Sequence, residues 1–179
     1  MTGIDPLLLE RAANIRLLAL DVDGVLTDGK LYFDSQGNEM KAFNTRDGLG
    51  IKALQRCGIT LALITGRESA MVSQRARQLG IEHVYQGRDD KLNAYMDLLS
   101  RTGIEESAVC YAGDDWIDLP VLMRCGLAVT VPSADEEVRG RVHWVTSRAG
   151  GEGAVREICE LILTAQGRRE ELLREVLSS

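Results

Sequence analysis

Residues 15–29 read IRLLALDVDGVLTDG. From Ile15 to Leu20 the run is apolar except for Arg16, the pattern of a strand covered on both faces of a parallel sheet. It ends in Asp21 and Asp23, one residue apart, with Gly24 and Thr27 behind them. Open α/β sheets bind their ligands beyond the carboxyl ends of the strands, so this stretch puts two carboxylates where chemistry is usually done.

Outward from that strand, short apolar runs alternate with segments of helical period. Residues 29–43 carry a turn signal at Gln36-Gly37-Asn38 and predict a β-hairpin. A helix follows over 47–58 with Asp47 as its N-cap, then a strand over 59–64 and a helix over 68–80 closed by Gly80. Strands are expected at 83–86, 108–113 and 127–131, with an edge strand at 143–146. Helices are expected at 90–103, 115–125, 134–141, 154–167 and 168–177. Repeated βα units imply an α/β fold, a doubly wound and mostly parallel sheet with helices on both faces.

The 179 residues suit one well-cored domain spanning 1–179, and 45% hydrophobic content with only 3 prolines argues against disorder. A net charge of -6 disfavours nucleic-acid and anionic-membrane binding, which need a basic face. No segment reaches the ~20 apolar residues of a membrane span. Leu7, Leu8 and Leu9, flanked by Asp5 and Glu10, do not form a secretory leader. Cys57, Cys110, Cys125 and Cys159 lack CxxC spacing and read as core thiols of a reducing compartment, so a cytoplasmic protein is expected.

Further polar groups fall at or just beyond the other strand ends: Thr65-Gly66-Arg67, Lys91, and the acids Asp114, Asp115 and Asp118. Singly each could be a helix cap or a solvated side chain. Together, carboxylates converging on one sheet edge repel one another and call for a cation. A hard divalent ion such as Mg²⁺ suits oxygen ligands and tolerates few of them. His83 and His143 are isolated, which argues against zinc.

The motif order resembles the haloacid dehalogenase-like phosphatases: DVDGVLT, the threonine of LITGR, Lys91 and GDDWID occur in sequence over about half the chain. That resemblance implies a tailored set of roles. Asp21 would attack phosphorus, and Asp23 would act as general acid and base. Thr65 and Lys91 would hold phosphoryl oxygens. Asp21, Asp114 and the backbone carbonyl of Asp23 would bind Mg²⁺, while Asp115 and Asp118 would orient Lys91 or the waters of the metal. Thr27 is read as a local backbone partner and Gly24 as a turn residue.

At finer grain, the stretch from Leu20 to Leu54, ITGRES and GDDWIDLPVL are similar to 3-deoxy-D-manno-octulosonate 8-phosphate phosphatases. No cap domain fits between these motifs, and members of that family are capless homotetramers whose neighbouring subunits help cover each site. Two features agree: the apolar hairpin residues Leu31, Tyr32, Phe33, Met40 and Phe43, and the glycine-rich SRAGGEGAVREI segment at 147–158. The resemblance implies substrate contacts from Asp23, Asn44, Thr45, Arg46, Asp47, Gly48, Lys52, Arg67, Arg75 and Lys91. It also implies a place in lipopolysaccharide precursor synthesis. Lys52 and Glu152 depart from the family's usual residues; Arg148 or Arg156 could take over from Glu152. The competing readings are a phosphatase for a nonulosonate 9-phosphate, a non-catalytic tetramerising scaffold, and a phosphoacceptor signalling domain.

Overall fold

The chain enters through α1 (Pro6–Ala13), a helix capped by the Asp5 side chain with Pro6 at its first position. It then runs into β1 (Leu17–Leu20), which is buried along its whole length. The hairpin strands β2 (Tyr32–Phe33) and β3 (Glu39–Met40) pair antiparallel and form a sheet of their own. α2 (Thr45–Arg56), β4 (Thr60–Ile64), α3 (Ala70–Leu79), β5 (His83–Tyr85) and α4 (Lys91–Thr102) follow. β6 (Val109–Ala112), α5 (Leu119–Leu122), β7 (Leu127–Thr130), α6 (Glu136–Arg139) and β8 (Trp144–Val145) lead to α7 (Ala154–Ala165) and α8 (Arg169–Leu177). This computed structural model describes residues 4–178; residues 1–3 and 179 of the expected 1–179 domain lie outside the described residues.

Among the described residues the main sheet has six strands in the order β5-β4-β1-β6-β7-β8, and every pairing in it is parallel. β8 is the edge strand that the sequence predicts over 143–146. Alternate residues of β1 face opposite sides: Leu18 and Leu20 join one core with α1, α2, α3 and α7, while Leu17 and Ala19 join another with α4, α5 and α6. Each such buried leucine contributes about 1.5–3 kcal/mol on area bookkeeping, so both layers are anchored through the central strand.

The register decides where the site lies. Leu20 is level with Leu63 of β4 and Ala112 of β6, and Asp21 N–H donates to the Ala112 carbonyl at 2.9 Å. Asp21, Thr65 and the turn beginning at Gly113 therefore emerge side by side on one rim.

Three local readings are corrected. Asn44, not Asp47, caps α2, its side-chain oxygen accepting from Arg46 N–H at 2.9 Å. Asp47 lies inside the first turn and is buried. The helix expected over 115–125 divides into a 3₁₀ turn, Trp116–Asp118, and the short α5, because Pro120 has no N–H to carry a helical ladder back through the preceding turn. α1 went unread, although Asp5-Pro6 is a helix-start signal.

Candidate active site

Asp21, Asp114 and Asp118 each present a carboxylate oxygen within 4.8 Å of the others at the rim of the sheet. Lys91, at the first position of α4, enters this cluster from the layer that also holds α5, with its side chain 1% exposed. Its Nζ lies 2.8 Å from Asp21 Oδ1 and 2.6 Å from Asp118 Oδ1. Burial opposes the ammonium, but the charges of Asp21 and Asp118 outweigh it and raise Lys91 above its ordinary value. The lysine is a fixed cation.

Asp118 is saturated. Its Oδ1 also accepts from Tyr111 Oη at 2.6 Å, and its Oδ2 accepts the backbone N–H groups of Asp114 and Asp115 at 3.1 and 3.2 Å. Those bonds make it an anchor for Lys91 and for the turn that carries Asp114. Burial raises the Tyr111 phenol well above its usual range, so it stays a neutral donor. Asp115 takes another part: its side chain caps the 3₁₀ turn by accepting from Trp116 N–H at 2.7 Å, while Lys91 pairs with Asp21 and Asp118.

Burial, then the charge of Asp118, raises Asp21 well above the ordinary carboxylate value; Lys91 offsets part of this. Asp114 is pushed up to about 6, chiefly by burial and then by the charge of Asp118. A crowded, oxygen-only pair that resists ionising together is the donor set a hard divalent cation relieves, and Mg²⁺ fits it. Gly24 makes room for it: at φ +98° it takes a backbone shape open to glycine, and a Cβ there would lie 2.0 Å from Asp114 Oδ2.

Thr65 is buried just past β4, its Oγ1 accepting from Arg67 N–H at 3.3 Å. Thr27 ties the first loop together as expected: its Oγ1 accepts from Gly24 and Gly29 N–H at 3.4 and 3.2 Å. Asp23 turns towards the hairpin, where its Oδ1 accepts from Lys41 Nζ. Sequence reading missed Lys41, Glu39 and Tyr111, since charged residues in a hairpin and a tyrosine in a strand carry no local signal.

The expected substrate contacts fall mainly into two groups, with Thr45, Arg46 and Lys52 outside both. Lys91, Asp23 and Arg67 stand in the site; Arg67 Nη2 is 3.0 Å from Glu39 Oε1 and its Nε 4.0 Å from Asp23 Oδ2. Asn44, Asp47, Gly48 and Arg75 instead pack together at the start of α2. Arg75 Nη2 donates to the Asn44 carbonyl at 3.4 Å, its guanidinium stands 5.8 Å from the Phe43 ring centre, and a Cβ on Gly48 would lie 2.4 Å from Arg75 Nη2. Asp47 Oδ1 accepts Arg156 N–H at the start of α7 at 2.7 Å, while its Oδ2 finds no partner among the described residues. Burial raises Asp47 to about 6. Thr45, Arg46 and Lys52 are exposed.

The glycine segment joins the two groups. Asn44 Nδ2 donates to the Gly151 carbonyl at 3.0 Å, Gly151 N–H donates to the Val25 carbonyl at 3.1 Å, and a Cβ on Gly150 would lie 1.8 Å from the Gly24 carbonyl. Glu152 is exposed, Arg148 is exposed, and Arg156 pairs with Glu160 at 2.8 Å. In the hairpin Leu31, Tyr32, Phe33 and Met40 are 40–58% exposed, whereas Phe43 packs on the core.

A profile for haloacid dehalogenase-like hydrolases matches residues 81–158. The chain is 51% identical over 162 residues to the 3-deoxy-D-manno-octulosonate 8-phosphate phosphatase of Yersinia pestis, covering 90% of this chain and 87% of that one. It is 50% identical over 163 residues to the phosphatase of the same name from Escherichia coli K12, covering 91% and 87%. Among solved structures, the phosphatase of that name from Moraxella catarrhalis, in complex with magnesium, phosphate and KDO, superposes with a TM-score of 0.92 at 47% identity, covering 94% and 97%.

Proposed function

The chain belongs to the 3-deoxy-D-manno-octulosonate 8-phosphate phosphatase family of haloacid dehalogenase-like hydrolases, and from that premise we propose that it hydrolyses this sugar acid phosphate to the free acid and phosphate. It is a phosphoric monoester hydrolase with Mg²⁺ as its cofactor. The observation that carries the reading is the convergence of Asp21 and Asp114 beside the buried Lys91, the constellation that phosphoryl transfer requires.

Asp21 attacks phosphorus while the ester oxygen departs, giving an aspartyl-phosphate. Asp23 protonates the leaving alkoxide, then takes a proton from the water that cleaves the new P–O bond and frees Asp21. Thr65 and Lys91 hold the phosphoryl oxygens through the transfer, and Asp118 keeps Lys91 in position. The side chains of Asp21 and Asp114, with the backbone carbonyl of Asp23, would hold Mg²⁺, which neutralises charge on the phosphoryl group and lets the carboxylates ionise together.

The protein acts as a homotetramer in the cytoplasm, in lipopolysaccharide precursor synthesis. The apolar face of the hairpin supports assembly, since Leu31, Tyr32, Phe33 and Met40 are 40–58% exposed, and the free thiols support a reducing compartment. Among the described residues no helix is long and apolar enough to cross a membrane. Thr45, Arg46, Lys52 and Arg67 face the substrate's sugar acid end, the exposed cations supplying charge for its carboxylate, while Asn44, Asp47, Gly48 and Arg75 hold the start of α2 behind them.

The test is phosphate release from the octulosonate 8-phosphate, a nonulosonate 9-phosphate and other phosphomonoesters, with Mg²⁺ and with chelator. Preference for the eight-carbon acid supports the reading; preference for the nine-carbon acid overturns the substrate, and no release from any overturns the enzyme. A light-scattering mass of a monomer would overturn the tetramer.

A further inference from the structure

Lys41 ends the hairpin, yet its side chain is 1% exposed, while Lys30 at the hairpin's other end is 72% exposed. A lysine loses rotamer freedom and hydration when buried, so it is found there only when paired. Its partners are Asp23, which accepts from Nζ through Oδ1, and Glu39, whose Oε1 is 3.4 Å away. Arg67 Nη2 binds the same Glu39 oxygen at 3.0 Å and its Nε stands 4.0 Å from Asp23 Oδ2. Charges of alternating sign therefore close a ring: Asp23, Lys41, Glu39, Arg67.

The ring joins three separate pieces of chain, namely the loop after β1, the hairpin and the turn after β4. Asp23 sits in a loop before Gly24, and the ammonium of Lys41 holds its Oδ1. With Oδ1 taken by Lys41, and Arg67 Nε too distant from Oδ2 for a hydrogen bond, Oδ2 is the oxygen left to exchange a proton.

We propose that Lys41 is a positioning residue for the proton transfer: it fixes the Asp23 carboxyl so that Oδ2 meets the leaving oxygen, with Glu39 and Arg67 holding Lys41 in place. The inference rests on the reading of Asp23 as general acid and base. As the ester P–O bond breaks and Asp21 bonds to phosphorus, an alkoxide must take the proton of Asp23. p-Nitrophenolate leaves as a stable anion and needs none. Misplacing Asp23 should therefore harm alkyl phosphates far more than aryl ones, whereas a lysine that merely braces the hairpin would harm both alike.

The experiment compares kcat/KM for 3-deoxy-D-manno-octulosonate 8-phosphate and p-nitrophenyl phosphate in wild type, Lys41→Met and Asp23→Asn. Positioned proton transfer is worth on the order of 100-fold or more, so Lys41→Met should lose about that factor on the sugar phosphate and under about tenfold on the aryl ester, the direction Asp23→Asn also takes. Both ratios are taken within one preparation, so the folded fraction cancels. If Lys41→Met fails to fold, Lys41→Gln, which keeps a polar end, is read the same way. Equal losses on both substrates, or no loss, overturn the role of Lys41 while leaving the phosphatase standing. A wild type inactive on both overturns the phosphatase and this role with it.

Discussion

Lys91 and Asp118 form an ion pair of 2.6 Å with neither side chain more than 1% exposed. The pair fixes a cation at the carboxyl end of the sheet, and the same ammonium reaches Asp21 at 2.8 Å. One buried lysine thus orders the surroundings of Asp21 and offsets part of the repulsion among the acids.

Removing that cation leaves Asp21 and Asp118 buried without it. Lys91→Met should cost about 3–5 kcal/mol of stability, the range for breaking a buried pair from one side, and should abolish turnover. Denaturant unfolding measures the first and phosphate release the second. A variant as stable as wild type would show that Lys91 does not carry the cluster.

Asp21→Asn keeps the shape of the side chain but removes the carboxylate proposed to attack phosphorus. Turnover should vanish, by at least about a thousandfold, with the fold retained. Substantial residual activity at an unchanged melting temperature would reject Asp21 as nucleophile.

Gly24→Ala would drive a Cβ to 2.0 Å from Asp114 Oδ2 at a backbone φ of +98°. Asp114 must move, so Mg²⁺ should bind about 10–100-fold more weakly, the range for disturbing what orients a ligand. Backbone strain adds about 1–3 kcal/mol of instability. Titration of activity against Mg²⁺ reads the first effect; an unaltered Mg²⁺ dependence would contradict it.

Burial raises Asp114 and Asp47 to about 6 from an ordinary 3.8, and Asp21 rises well above that value too. A carboxyl raised in the folded state contributes stability that is complete below its unfolded value and is lost as pH rises through the folded one. Without divalent cation the melting temperature should therefore fall as pH rises from about 4 through about 6. Mg²⁺ binds the ionised carboxylates, so its stabilising shift should be larger at about pH 7.5 than at about pH 5. Melting curves with Mg²⁺ and with chelator test this, and equal shifts at both pH values would contradict it.

The sheet and the four motif positions were legible because each is local: an apolar run, a carboxylate at its end, a capping residue or a closing glycine. Leu17–Leu20 and Asp21 needed no knowledge of the rest of the chain. Asp47 was misread as a cap because Asn44, three residues earlier, offers the same capping chemistry, and the choice was settled by the packing of α7 against α2. Arg75 binds the Asn44 carbonyl 31 residues away, and Lys41 reaches Asp23 across 18 residues. Such contacts depend on how the hairpin folds back and on which helix face meets which neighbour. Periodicity and spacing do not encode either.

The most direct test of the account is to trap the phosphoenzyme during turnover of 3-deoxy-D-manno-octulosonate 8-phosphate with Mg²⁺. Acid quench followed by borohydride would reduce an aspartyl-phosphate to homoserine, which peptide mass spectrometry locates. The account predicts the change at Asp21 alone, dependent on substrate and Mg²⁺. Steady turnover with an unmodified Asp21, or with the label on another carboxylate, would contradict it.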